Sequence, residues 1–380
     1  MTTNGSTVRI LLTDFDGDGD LDMSKGGFIA YESLPWYPNK PVYKMKVFFN
    51  DGKGLFVDSG QLFGSDWSFE YDAGDIDSDG DKDIVIGNIY GGSVKVYLND
   101  GRGQFTGLNQ TIGGYYDYLP KLADLDKDGD LDLYTGSAYY NYGKNKIFLN
   151  DGKGIFTQLN NTGLKGGRIS DTAPFDIDND GDKDLVEVTS FVYTTSQNVT
   201  TMINASKRVY KNNGDATFSL IQDINLTMAW PAGSPRTLGF GDVNKDGDID
   251  LIIMTGGPNV MGGLYTNDGT GLFTKDLYFE SQKNQSYITQ AYHNVASDGQ
   301  MVDVDNDGDL DPAILGIVLA NDGTGKFKAC PWVHGLNIIY HTAVPYGDID
   351  KDGDLDTIGY GYFSGDTGLK VMAFDNMLIP

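Results

Sequence analysis

"DLDKDGDLD", residues 124–132, sets five aspartates around one glycine. Close variants recur six more times: DFDGDGDLD at 14–22, DIDSDGDKD at 75–83, DIDNDGDKD at 176–184, DVNKDGDID at 242–250, DVDNDGDLD at 303–311 and DIDKDGDLD at 348–356. These seven loops hold 34 of the 54 acidic side chains, and the other 20 face 28 lysines and arginines. The formal charge of −26 is therefore a property of the loops, set in an otherwise mildly basic chain. Nucleic acid and anionic membrane surfaces are unsuitable partners for such a molecule.

A second signature follows most of the loops. VFFNDGKGLF (47–56), VYLNDGRGQF (96–105), IFLNDGKGIF (147–156), VYKNNGDATF (209–218), LYTNDGTGLF (264–273) and VLANDGTGKF (318–327) each run apolar alternation into Asn-Asp-Gly or Asn-Asn-Gly. Such turns need residues that tolerate positive φ, and this pattern is a strong hairpin signal. Each repeat then reads as four strands. The first enters the Asp loop, as in YLPKLAD, the second leaves it, as in LDLYTGS, and the third and fourth flank the Asn-Asp-Gly turn. Short antiparallel strands, four per unit and repeated along the chain, predict an all-β, seven-bladed β-propeller. We read residues 1–380 as one domain with blades starting near 8, 67, 116, 168, 235, 295 and 340. Strand parity puts all Asp loops and Asn-Asp-Gly turns on one face and the longer connections on the other.

The loop pattern is D-x-D-x-D-G-D-x-D. Aspartates at positions 1, 3 and 5 can aim carboxylates at one point while the glycine at position 6 turns the chain, which is oxygen chemistry suited to calcium. Without an ion, unit charges so close repel by roughly 0.7 kcal/mol per pair even in water. The candidate ligands in the first two loops are Asp14, Asp16, Asp18, Asp20, Asp22, Asp75, Asp77, Asp79, Asp81 and Asp83. The third and fourth contribute Asp124, Asp126, Asp128, Asp130, Asp132, Asp176, Asp178, Asp180, Asp182 and Asp184. The fifth has Asp242, Asn244, Asp246, Asp248 and Asp250, with a neutral oxygen at position 3. The last two add Asp303, Asp305, Asp307, Asp309, Asp311, Asp348, Asp350, Asp352, Asp354 and Asp356. An EF-hand is excluded, because position 12 is Lys25, Ile86, Thr135, Glu187, Ile253, Ile314 and Gly359 in turn and the flanks are strands.

The loops and turns resemble the FG-GAP, or VCBS-type, repeats of integrin α-subunit propellers and of bacterial and fungal secreted proteins. The resemblance implies about seven Ca²⁺ ions, one per blade. It implies side-chain ligands at positions 1, 3, 5 and 9 and a backbone carbonyl at position 7, with the position-7 side chain adding only field. It also implies an extracellular, secreted or cell-surface protein, where such sites fill. The one cysteine, Cys330, forms no internal disulfide, so the ions would serve as the staples.

The opposite face reads as aromatic. Trp36, Tyr37, Tyr139, Tyr140 and Trp230 fall in its connections and are candidates for stacking on a glycan or protein ligand. His293, His334 and His341 lie in neighbouring connections there, and a lyase acting on polysaccharide would need them to meet. With no nucleophile motif or metal spacing, a non-catalytic adhesion or lectin-like role is the leading expectation. Sequons begin at Asn4, Asn109, Asn160, Asn198, Asn204, Asn225 and Asn284, consistent with a secreted glycoprotein. No apolar run is long enough to span a membrane. The last repeat shows no fourth strand after LKVMAFDN. It would be three-stranded, continued by further chain, or completed by self-association or a partner's strand, as in a subunit of a surface assembly.

Overall fold

Apolar and β-branched runs on both sides of every Asp loop become strands, because each loop reverses the chain and lets its flanks pair. The computed structural model describes residues 9–34, 37–64, 68–88, 93–114, 117–137, 145–190, 192–196, 199–203, 205–226, 235–255, 261–280, 300–314, 317–330, 345–361 and 370–374. Blade 1 comprises β1 (Ile10–Thr13), β2 (Asp22–Leu34), β3 (Tyr37–Asn50) and β4 (Phe56–Asp58). Blade 2 comprises β5 (Ser68–Gly74), β6 (Asp83–Asn88), β7 (Lys95–Asn99) and β8 (Phe105–Gly107). Blade 3 has β9 (Asp117–Ala123), β10 (Asp132–Ser137), β11 (Lys146–Leu149) and β12 (Thr157–Leu159). The next stretch runs β13 (Ile169–Phe175), β14 (Asp184–Thr189), β15 (Val192–Ser196), β16 (Val199–Ile203), β17 (Ser206–Asn212) and β18 (Phe218–Asn225). Of these, β13, β14, β17 and β18 form blade 4, and β15 and β16 pair only with each other. Blade 5 is β19 (Pro235–Gly241), β20 (Asp250–Thr255), β21 (Met261–Asn267) and β22 (Phe273–Glu280). Blade 6 is β23 (Gln300–Val302), β24 (Asp311–Ile314), β25 (Ile317–Asn321) and β26 (Phe327–Cys330). The last sheet is β27 (Tyr346–Gly347), β28 (Asp356–Gly361) and β29 (Lys370–Phe374).

Every sheet is antiparallel, in simple sequence order but for the inserted hairpin. The expectation of seven four-stranded blades is corrected: complete blades number six, and the seventh sheet has three strands among the described residues. Two stretches read as connections are also strands. Residues 31–34 and 37–43 extend the β2–β3 hairpin out to the pair Leu34–Tyr37, and β15–β16 forms a second hairpin in the long connection of blade 4.

The second strand of a blade is buried on both faces, as in DIVIGN (β6), DLYTGS (β10) and DLVEVT (β14). Neighbouring blades supply the cover. Phe15, Met45 and Val47 of blade 1 pack on Tyr71, Ile84 and Ile86 of blade 2. Ile10 and Met23 pack on Ile349 and Ile358 of the last sheet, which closes the ring. The first strands surround an axial chamber of about 350 Å³, bordered by Leu11, Lys121, Phe175, Phe240, Met301 and Pro345. Pro120 and Pro174 sit in these innermost strands, where one strand edge pairs with nothing in its own sheet and a missing N–H is tolerated.

Candidate metal centres

Within each loop the aspartates first organise the backbone. The carboxylate at position 1 accepts the amide of the position-6 glycine in all seven loops, at 2.9–3.2 Å, as Asp14 does from Gly19. The carboxylate at position 5 accepts the amide of position 7 at 2.9–3.1 Å. Position 9 lies against the core. Its Oδ2 accepts the position-2 amide in every loop at 2.7–3.2 Å, as Asp132 does from Leu125. Its Oδ1 accepts the amide of the turn asparagine at 2.7–2.9 Å in the six complete blades. One residue type thus shapes the loop, pins it to the neighbouring hairpin and leaves lone pairs pointing inward.

Those lone pairs converge. Ligand-capable oxygens lie within 4.8 Å of one another in Asp14–Asp16–Asp18, Asp75–Asp77–Asp83, Asp124–Asp126–Asp132, Asp176–Asp178–Asp180 and Asp303–Asp305–Asp311. Positions 1, 3, 5 and 9 are the ones that meet. Burial and the neighbouring Asp18 charge raise the pKa of Asp16, and the same causes act on Asp77, Asp126 and Asp305 through Asp79, Asp128 and Asp307. Burial, opposed by the two amides, pushes Asp22, Asp83, Asp132, Asp184, Asp250 and Asp311 up to about 6. At positions 1 and 3, Asp77 Oδ1, Asp124 Oδ1 and Asp348 Oδ1 are buried yet meet no hydrogen-bond donor, as does Asp178 Oδ1, whose companion Oδ2 is held by Lys211. Buried carboxylate oxygens without donors are costly unless a cation takes them. An all-oxygen set of this kind fits a hard divalent ion.

Position 7 plays a different part. Asp20 and Asp309 are nearly buried, and a β-carbon at the following turn glycine, Gly52 or Gly323, would meet their oxygens at 2.6 Å. Each also receives an ammonium from position 4 of the preceding loop: Lys351 reaches Asp20, Lys127 reaches Asp182 and Lys245 reaches Asp309. Ser78 and Asn179 reach Asp130 and Asp248 in the same way, both at 3.2 Å. Position 4 can do this because it is left-handed, with φ between +56° and +65° at Ser78, Lys127, Asn179, Lys245, Asn306 and Lys351. That conformation costs a non-glycine residue about 1–2 kcal/mol.

The turn asparagine is the second blade-to-blade device, and sequence reasoning saw it only as a turn former. Asn50, Asn99, Asn150, Asn212, Asn267 and Asn321 each donate Nδ2 to the position-2 carbonyl of the preceding blade at 2.7–2.8 Å. Tyrosines add to the joints: the half-buried Tyr118 Oη donates to Ile169 O at 2.8 Å, and the buried Tyr71 Oη lies 2.8 Å from Arg9 O. Between blades 3 and 4, Glu187 Oε1 accepts Tyr134 Oη at 2.8 Å and Asn145 Nδ2 at 2.5 Å, with Arg208 Nη1 3.7 Å from Oε2. Complete burial outweighs these partners and pushes Glu187 up to about 7.

The aromatic face is only partly described. Tyr37 opens β3 opposite Leu34. Trp36, Tyr139, Tyr140, Trp230, His293, His334, His341, Asn4, Asn198, Asn204 and Asn284 lie outside the described residues. Asn109, Asn160 and Asn225 are described, and all three are exposed. Among the described residues no helix is long and apolar enough to cross a membrane.

The family of FG-GAP-like repeats matches residues 75–135, 124–187 and 198–253. An Agrocybe aegerita lectin with specific recognition of non-reducing terminal N-acetylglucosamine is 22% identical, with 85% of this chain and 80% of that chain covered, at a TM-score of 0.56. A protein from Lactobacillus plantarum is 11% identical over 92% of this chain and 100% of that one, at a TM-score of 0.51. Bacillus licheniformis rhamnogalacturonan lyase PL11 is 15% identical over 95% and 66%, at a TM-score of 0.47. At such identities the likeness is one of fold. No curated protein matches the chain.

Proposed function

We propose, from the premise that the chain is a β-propeller of FG-GAP-like repeats, that it is a calcium-stabilised extracellular recognition module that holds a glycan or protein ligand without catalysis. The observation that carries the calcium reading is the repeated convergence of carboxylates at positions 1, 3, 5 and 9, with buried oxygens that meet no donor. In the third loop Asp124, Asp126, Asp128 and Asp132 would hold the ion. Bound calcium supplies a cross-link between the two strands and the turn of each loop, and its binding energy adds to folding stability. Sites of this kind fill at extracellular calcium. The exposed Asn109, Asn160 and Asn225 support the same location, since their sequons are accessible to glycan transfer.

A glycan ligand is supported by the fold likeness to a lectin, together with the aromatic connections around Trp36, Tyr139, Tyr140 and Trp230. A glycan array run in millimolar calcium and again in excess chelator tests the whole reading. Retention of a defined glycan class in calcium, and its loss in chelator, is the expected result. Depolymerisation of an arrayed polysaccharide would instead favour the lyase reading, with His293, His334 and His341 as its first suspects. Absence of any glycan or protein ligand would remove the recognition role.

A further inference from the structure

One loop carries its own cation. The side chain just before the turn asparagine lies beside position 3 of its blade's Asp loop. In blade 1 this residue is Phe49, whose ring and the Asp16 Cβ both border Gly103. The equivalent residues are Leu98 and Leu149 in blades 2 and 3, and Thr266 and Ala320 in blades 5 and 6, none of which can be charged. In blade 4 it is Lys211. Its ammonium contacts Asp178 Oδ2 and lies 3.0 Å from Asp180 Oδ2. Of the loop carboxylates, the lysines Lys127, Lys245 and Lys351 pair only with that of position 7, and Lys127 also lies 3.5 Å from the Asp180 carbonyl. Lys211 instead takes positions 3 and 5, two of the three carboxylates that converge in the fourth loop.

We propose that Lys211 is the resident counter-ion of the fourth loop, holding Asp178 and Asp180 so that this loop stays free of calcium while its neighbours fill. The assignment rests on the calcium reading of the other loops. Its physical basis is competition for the same oxygens. A divalent ion needs six to eight oxygen ligands, and it cannot share two of them with an ammonium that brings like charge into the site. The ammonium supplies three donors and one charge, taking Asp178 Oδ2 and Asp180 Oδ2 in place of an ion, with Asp178 Oδ1 left in the field of that charge. The blade thereby gains a joint that does not depend on external calcium.

The test counts ions. Wild type, K211M, D178A and D126A are saturated with calcium, desalted, and measured for bound calcium per chain by elemental analysis. Methionine at 211 restores the apolar character found at Phe49, Leu98 and Leu149, so the variant keeps the packing of the other blades. Expected are one more ion in K211M than in wild type, no loss in D178A and the loss of one in D126A. A K211M count equal to wild type, or the loss of one ion in D178A, overturns the role of Lys211. Absence of bound calcium from every variant refutes the calcium reading itself, and the assignment falls with it.

Discussion

Replacing Asn150 by alanine isolates the joint between blades 2 and 3. The side chain is nearly buried. Its Nδ2 donates to Ile76 O of blade 2 at 2.7 Å and to Leu131 O of its own loop at 3.1 Å, while Oδ1 accepts the buried Gly154 amide at 3.1 Å. Alanine deletes these three bonds and a fourth, which Oδ1 accepts from the Asp151 amide at 2.9 Å, and offers no substitute, while the backbone bond from Asn150 to Asp132 survives. At about 1 kcal/mol net per bond the cost is about 4 kcal/mol. Unfolding entropy near 2.1 cal/mol/K per residue gives a chain of 380 residues about 0.8 kcal/mol/K, so the melting temperature should fall roughly 5 °C. Differential scanning calorimetry in saturating calcium reads this directly. Asp151→Ala is the control, since its side chain bonds only the exposed turn amides of Lys153 and Ile155 and should cost much less. Asn267→Ala removes the same set at a distant joint, and the double variant should show the sum of the two losses. An N150A melt within about 1 °C of wild type would show that the asparagines are turn formers and nothing more.

Excess chelator should lower the melting temperature, because each site saturated at one hundred times its dissociation constant contributes about 2.7 kcal/mol; an unchanged melt refutes the calcium reading. Glu187 governs part of the acid side of the stability curve. Its folded value is raised from 4.5 to about 7, so its contribution is complete below pH 4.5 and is lost as pH rises through 7. That difference amounts to roughly 3 kcal/mol. Denaturant titrations between pH 4.5 and 8 should show the decline in wild type relative to Glu187→Gln, whose amide keeps the acceptor for Tyr134; parallel curves would contradict it. Lys127→Met breaks the pair with Asp182, but Lys127 is about half exposed. The loss should stay below about 1 kcal/mol, and a melt displaced by more than 2 °C would mean the clasp matters more than its exposure allows.

Much of the architecture is legible because its signals are local. The Asp loop and the Asn-Asp-Gly turn each complete their essential bonds within nine residues or fewer, so both appear as contiguous patterns. What escapes is the chemistry between blades. Asn50 finds its acceptor Ile349 O almost 300 residues away, and nothing around either residue announces the other. Position 7 looked like one more acid in an acidic loop; its role depends on a left-handed residue in the preceding blade. Lys211 interrupts an otherwise uncharged register, a signal that was present in the aligned repeats but that only the distance to Asp178 and Asp180 makes meaningful. The extension of β2 and β3 past Tyr31 was hidden by Pro38 and Pro41, which read as loop residues.

The joint between the last sheet and blade 1 uses the same asparagine-to-carbonyl bond and the same lysine-to-aspartate clasp as the joints inside the chain. The joint where the two ends of the ring meet is therefore fastened like those inside the chain, and the point at which the polypeptide starts is immaterial to how blade 1 locks. Such a molecule could gain or lose a sector by gene duplication and still find a matching edge on either side, its circumference being set by wedge angle alone.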